Sequence, residues 1–332
     1  MATVLTVILN WRTPEMTLRS AEAALTAMQG IEGAITIVDN DSGDGSEERL
    51  RAEVAARGWD RVRVIQSGHN GGFGAGNNVG IRAGLPDGGR PDFVYLLNSD
   101  AFPEPDAICI LRDHLEADPG LGMVGSFIHG EDGDPHVTCF RFPSVASEFE
   151  GGAQTGPITR LLRRHVVPQV IPSQPAAMDW VAGASLMMRQ DMLDRIGLFD
   201  EGYFLYFEET DLCLRAARGG WRVLYIPQSR VAHIGSVSTG MKGWGRTPTY
   251  WFDSRWRYFR KNYGVLTACL ATLAVLAGLS VNRLRAAIGN APRNGGPHHL
   301  RDLIRHDLRA LLRGIDTRHQ PIASPSVSPR TT

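Results

Sequence analysis

The alternation of element types in the first hundred residues does most to limit what this chain can fold into. Thr3 to Leu9 is a continuous apolar, β-branched run, the pattern of a strand buried on both faces of a parallel sheet. Thr13-Pro14-Glu15 then offers an N-cap, a proline at the first helical position and an acid in the first turn, predicting a helix to about Met28. Ala34 to Val38 reads as strand, Ser46 to Arg57 as helix, Val62 to Gln66 as strand, Gly74 to Gly84 as helix and Phe93 to Leu97 as strand. Four βα units in this order imply an α/β fold: a Rossmann-like, mostly parallel sheet covered by helices, with right-handed crossovers. Ligands in such sheets bind outside the carboxyl ends of the strands. The informative residues are therefore Asn10-Trp11-Arg12, Asp39-Asn40-Asp41, the glycine-rich stretch from Gly68, and Asn98-Ser99-Asp100.

Composition narrows the function classes. The 332 residues allow about two ordinary domains or one large domain with appendages. A hydrophobic content of 43% excludes a disordered chain, and 35 basic against 35 acidic residues leave no charge excess for general nucleic-acid binding. The four cysteines form no Cys-x-x-Cys pair for zinc or redox work. The N-terminal run has no basic residues before it and no small-residue cleavage site after it, which predicts a cytoplasmic protein.

From Gly122 to about Val170 the pattern is too mixed to order, apart from a basic helical turn at Arg160 to Arg164. Asp179 to Arg189 then reads as strand, Arg195 to Gly202 as turn, Thr210 to Arg218 as helix stopped by Gly219-Gly220, and Trp221 to Ile226 as strand.

Each motif carries a chemical and a structural reading. The run from His69 to Asn78 follows a strand and opens a helix, so its backbone amides are able to approach a nucleotide closely. It approximates a dinucleotide fingerprint, but it follows the third strand rather than the first, which argues against a dehydrogenase. Asp100 at a strand end suits a divalent cation bridging phosphate oxygens, or simply an Asx turn. Glu208, Glu209 and Asp211 sit at a helix entrance among Tyr203 to Phe207, either as helix-dipole acids or as a positioned base in a cleft wall. His233 follows the strand from Trp221 as a metal or diphosphate partner, or as a structural histidine.

Taken in order, the segments 7–11, 37–42, 70–78, 96–100, 179–184, 197–201 and 206–215, with His233, resemble family 2 glycosyltransferases of the GT-A fold, especially the bacterial rhamnosyltransferase-like branch. The resemblance implies that Asp39 and Asn77 contact the donor base or ribose, with Asn10, Asn70, Gly72, Phe73, Asn98 and Ser99 in the donor site. It implies a metal at Asp100 and His233, Mg2+ or Mn2+, held weakly because Asn98 replaces the first acid of the family motif. Trp180 and Gly183 fall in the sugar and acceptor pocket. The base falls on Glu209, with Glu208 and Asp211 as alternatives, because this chain has Glu-Glu where the family commonly has Glu-Asp. The implied partners are a nucleotide-diphosphate sugar, thymidine-diphosphate (dTDP) rhamnose by the branch, and a glycan or polyprenyl-linked acceptor. A homodimer stays open.

The expected organisation is a catalytic domain at 1–240, an aromatic and basic segment with an apolar helix at 241–290, and an amphipathic helix with a disordered tail at 291–332. Val265 to Val281 carries no formal charge and is at the lower edge of what spans a bilayer. Basic residues flank it on both sides, so a helix lying on the cytoplasmic leaflet fits better, with Trp251, Trp256 and Tyr258 at the interface. The alternative is a core helix. Two other functions compete with the transferase: a non-catalytic nucleotide-sugar scaffold, motivated by Glu208-Glu209 and Asn98, and a sugar nucleotidyltransferase, which the glycine-free loop after the first strand disfavours.

Overall fold

The computed structural model describes residues 2–235, 245–289 and 298–313. The predicted alternation is present almost residue for residue: β1 (Val4–Asn10), α1 (Pro14–Ala27), β2 (Gly33–Asp39), α2 (Ser46–Ala56), β3 (Val62–Gln66), α3 (Phe73–Arg82) and β4 (Phe93–Asn98). A short β5 (Ala101–Pro103) and α4 (Ala107–Ala117) follow, then β6 (Leu121–His129), β7 (Pro135–His136) and β8 (Cys139–Phe140). The middle of the chain continues through α5 (Val145–Ala153), α6 (Gly156–Leu161), β9 (Ala176–Met178), β10 (Trp180–Val181), β11 (Ser185–Arg189) and α7 (Gln190–Ile196). It closes with α8 (Glu208–Arg218), β12 (Arg222–His233), α9 (Thr249–Tyr263), α10 (Val265–Ala287) and α11 (His299–Arg313).

The main sheet runs β3-β2-β1-β4-β11-β6-β12-β5. Strands β3, β2, β1 and β4 are mutually parallel, so their carboxyl ends lie along one edge; β11 inserts antiparallel between β4 and β6. One aliphatic core packs the sheet against α1, α2 and α4, for example through Leu18, Leu50 and Leu111. A second packs the other face against α3, α7 and α8 through Ile81, Met192 and Leu212. Strands covered on both faces need continuous apolar runs, which is why β1 and β4 were legible.

Four expectations shift. Thr13 occupies the N-cap position of α1 but makes no capping hydrogen bond through its side chain. The strand expected over Asp179 to Arg189 is two strands in different sheets, interrupted at Ala182-Gly183-Ala184. Helix α8 begins at Glu208, two residues earlier than predicted, and β12 extends through His233 rather than ending at Ile226. The fourth concerns the C-terminal helices. Trp256 and Tyr258 are buried in a third cluster with Tyr203, Phe259, Ala268 and Ala310, so they pack inside the protein and not at a membrane interface. Helix α10 packs its inner face on α5 so closely that a Cβ at Gly278 would lie 2.3 Å from the Phe149 carbonyl oxygen. The expected disordered end from Gln320 lies outside the described residues.

Candidate functional site

The ends of β1 and β2 are joined side chain to side chain. Asn10 Nδ2 donates to Asp39 Oδ1 at 2.6 Å, and Thr17 Oγ1 donates to Asn10 Oδ1 at 2.7 Å. Asp39 also accepts from the Ser42 hydroxyl at 2.6 Å, the Ser42 amide at 3.0 Å and Gln66 Nε2 at 3.0 Å. Both Asn10 and Asp39 are buried, so here they hold the strand ends in place, with Arg12 and Asp41 beside them in left-handed conformation.

The glycine-rich loop is anchored to the acidic segment across the fold. Phe73 N donates to the Phe204 carbonyl at 2.9 Å, and a Cβ on Gly72, at φ 91°, would lie 1.9 Å from that same oxygen. Only glycine permits this approach. Asn70 supports the turn, accepting from Gly72 N at 3.1 Å and Asn40 Nδ2 at 3.0 Å. Asn77 is buried with its amide on the Phe73 carbonyl at 2.9 Å, a contact inside its own helix. Its neighbour Asn78, to which the sequence reading assigned no role, ties α3 to the following wall: Nδ2 donates to the Phe199 carbonyl and to Glu201, both at 2.9 Å, while Oδ1 accepts from Phe199 N at 3.1 Å. The signal for it was position, since adjacent helical residues point roughly 100° apart.

At the end of β4, antiparallel pairing of β12 with β5 sets His233 opposite Ala101. That register places His233 Nε2 3.0 Å from Asp100 Oδ1 and 3.3 Å from Asn98 Nδ2. Ser99 is buried beside them, 3.4 Å from the Thr13 hydroxyl. Among the described residues no group of three His, Cys, Asp or Glu side chains is set to hold a metal. A two-residue set of one carboxylate and one imidazole fits a hard divalent cation that takes its other ligands from phosphate oxygens and water.

The acidic segment is built differently. Tyr206 and Phe207 both have positive φ, 69° and 68°, a conformation that costs on the order of 1–3 kcal/mol per residue and turns the chain into α8. Glu208 faces α3, where a Cβ at Gly74 would lie 3.6 Å from its own Cβ. Glu209 faces the β10–β11 interruption: its Oε1 accepts from Gly183 N at 3.4 Å, and Gly183 abuts the Phe73 ring. Gly183 precedes Ala184, whose carbonyl accepts from Asn98 N at 3.0 Å, so Glu209 is connected to the β4 end through two residues. The Oε2 atoms of both glutamates are buried without a hydrogen-bond partner. Burial pushes both carboxyls above the ordinary range, and for Glu208, raised well above it, the neighbouring Glu209 charge adds to the effect.

Asp211 does other work. It is fully buried and accepts from Lys261 Nζ at 2.7 Å, Arg215 Nε at 2.9 Å, Asn262 Nδ2 at 2.9 Å and Tyr203 Oη at 3.3 Å. Four donors on one carboxylate leave no lone pair for a proton in flight, which removes Asp211 as a base candidate and makes it the anchor of α8 on α9. Arg257 and Lys261 extend the anchor to Asp200, whose carboxyl their hydrogen bonds and charge hold well below the usual range against the opposing effect of burial. Trp180 stacks on Phe140 at 4.1 Å and donates from Nε1 to the Arg141 carbonyl at 2.8 Å, forming a half-exposed wall just before Gly183.

Residues 2–264 match the family described as glycosyltransferase like family 2. An N-acetylglucosaminyl-diphospho-decaprenol L-rhamnosyltransferase of Mycobacterium tuberculosis is 29% identical over 257 residues, covering 72% of this chain and 79% of that protein. Rhamnosyltransferase WbbL of Escherichia coli is 28% identical over 165 residues, 49% of this chain and 60% of that one. Among solved structures, GalNAc-T7 with UDP, GalNAc and Mn2+ superposes with a TM-score of 0.58 at 14% identity, covering 95% of this chain and 56% of that one. A mannosyltransferase from Pyrobaculum calidifontis with GDP-Man and Mn2+ gives 0.55 at 14% identity, covering 95% and 81%.

Proposed function

We propose a specific reaction for this chain, which belongs to the family 2 glycosyltransferases and is a hexosyltransferase of the GT-A fold. The reaction is inverting transfer of rhamnose from dTDP-rhamnose to a polyprenyl-linked or glycan acceptor, at the cytoplasmic face of the membrane. The rhamnose and the lipid-linked acceptor are supported by what the mycobacterial relative's name says of that protein. The observation that carries the mechanism is the pair of neighbouring glutamates at the entrance of α8, each burying its Oε2 atom without a hydrogen-bond partner.

Glu208, the more deeply enclosed and more strongly raised of the two, keeps its proton, and Glu209 is the base. In the transfer, the acceptor hydroxyl oxygen attacks the anomeric carbon as the bond from that carbon to the phosphate oxygen breaks. The diphosphate leaves with the bonding electron pair, and the hydroxyl proton passes to Glu209. A raised carboxyl is the better proton acceptor once ionised, and the water-poor wall sharpens its effect. Asp100 and His233, with Asn98 beside them, would hold a divalent cation, Mg2+ or Mn2+, which when bound supplies positive charge to the departing diphosphate. Asn70 and Phe73 face the donor, and the Asn10–Asp39–Ser42 network fixes the strand ends beneath it. Trp180 gives the acceptor sugar a flat apolar face.

Incubation of the purified protein with a panel of nucleotide sugars and a lipid-extracted acceptor tests the reading. Transfer from dTDP-rhamnose with inverted anomeric configuration is expected. Absence of both transfer and slow hydrolysis with every donor would overturn the proposed reaction, and transfer from another sugar would correct only the donor.

A further inference from the structure

The surface formed by α9 and α11 carries charge that no acid among the described residues answers. Arg305, Arg309 and Arg313 recur at four-residue spacing and so share one exposed face of α11, where like charges repel. Among the described residues no ion pair engages them. The acids of the same helix are taken elsewhere: Asp302 binds Arg246 at 2.6 and 2.8 Å, and Asp307 binds the buried Arg255 at 3.2 Å. The row borders a cavity of about 710 Å3 that Arg246 also lines.

Two acids face this space, Asp253 and Asp302, and both are already paired, Asp253 with His306 at 2.8 Å. His306 is a cation at neutral pH: burial lowers its pKa, but its hydrogen bonds to Asp253 and Asp307 outweigh that and push it up to about 9. With it, four arginines against two carboxylates make the cavity strongly positive.

The flank of the row is apolar. Leu312 is 83% exposed and lies roughly 20° around the helix from Arg305; Leu308, also exposed, lies roughly 60° away. On α10 the exposed residues Leu266, Leu270, Leu273, Ala277 and Leu284, continued by Ile288 just past its end, follow one stripe along the helix that only Ser280 interrupts, while Ala268, Ala271, Gly278 and Asn282 face inward. A helix with its back embedded in protein and its outer stripe apolar suits the plane of a membrane surface rather than a span across it.

We infer that the α9–α11 cavity and its arginine row form a docking site for lipid phosphates, which seats the protein on an anionic leaflet with the outer leucines of α10 and α11 in the acyl boundary. A soluble anion would need the arginines alone; the adjoining exposed leucines favour lipid as the occupant. The inference rests on the proposed membrane-surface location and names the residues and lipid class responsible for it.

Flotation of the full-length protein with vesicles of phosphatidylcholine alone, or mixed with phosphatidylglycerol, tests it. The wild type is expected to float with the anionic vesicles and much less with the neutral ones. The variant Arg305→Gln/Arg309→Gln/Arg313→Gln should keep the wild-type circular dichroism and melting midpoint, because these side chains are exposed and unpaired, yet lose roughly a hundredfold in affinity. Removing three charges elsewhere, at Arg160, Arg163 and Arg164, should change affinity far less. A wild type that ignores anionic vesicles overturns the membrane location as well. A wild type that floats while the Arg305/Arg309/Arg313 variant floats equally overturns this site alone. Release by inorganic phosphate at constant ionic strength would reassign the site to a free anion.

Discussion

The two walls of the proposed site handle their carboxylates in opposite ways. On the proposed donor side Asp39 accepts four hydrogen bonds, from Asn10, Gln66 and both donors of Ser42, in a network closed by the strand ends. On the opposite side Glu208 and Glu209 each bury an oxygen with no partner, after two aromatic residues in left-handed conformation. The difference teaches that the proposed donor wall ties its central carboxylate down with four donors, whereas the proposed reactive wall leaves one oxygen of each of two acids without a partner. Such a wall is costly and must be held from behind. Helix α9 supplies that hold through Lys261 and Asn262 on Asp211 and through Ser254 on the Leu205 carbonyl. The supporting helix is itself fastened by Arg255, only 1% exposed, which bridges Glu148 of α5 and Asp307 of α11.

Three substitutions sharpen this contrast. The largest effect belongs to Glu209→Gln, which preserves shape and removes the proposed base: turnover should fall by about 10²–10⁴-fold with donor binding retained, measured by kcat against the donor dissociation constant. Equal loss of binding and turnover would show that Glu209 shapes the site rather than taking the proton. Next comes Asp39→Ala, which leaves the Asn10, Ser42 and Gln66 donors without their acceptor; chemical denaturation should show a loss on the order of 2–3 kcal/mol. A neutral result would mean that water replaces the carboxylate and that the donor wall is not the rigid one.

Glu208→Gln should have the smallest effect, and with the opposite sign. The Glu208 carboxyl is raised on folding, so the folded state binds its proton more tightly than the unfolded state does. Stability is therefore full below the ordinary glutamate range and declines as the pH rises through the interval up to the raised folded value. The glutamine lacks that decline, so its melting midpoint should match the wild type at acid pH and exceed it by on the order of 2 °C at neutral pH. A variant less stable at every pH would place a needed hydrogen bond at Glu208 and remove the symmetry-breaking between the two walls.

The contrast also separates what was legible from what was not. The architecture beneath the proposed donor wall was readable because its signals are local: a β-branched run makes β1, and its polar neighbours lie at the strand end by a rule of the fold. The Gly72-Phe73 turn was readable for the same reason, as a glycine between a strand and a helix. The reactive wall was not, because its decisive partners are distant in the chain. Asp211 looks like its neighbours Glu208 and Glu209 until Lys261 and Asn262 arrive, 50 and 51 residues later. The stretch from Trp251 to Lys261 has the composition of a membrane interface, yet Arg257 and Lys261 turn inward to Asp200, and Trp256 and Tyr258 turn into the core.

By itself the sequence determined the helix-covered parallel sheet, the edge at which sheets of this kind bind ligands and the acids on offer near it, since these follow from periodicity and from chain order. Only the tertiary structure decided that Asp211 is held by four donors, that His233 meets Asp100 across 133 residues, and which faces of α10 and α11 stay open. Those outcomes depend on burial and on pairing between remote segments. A side chain's type limits what it can do, whereas its solvation and its partners select what it does.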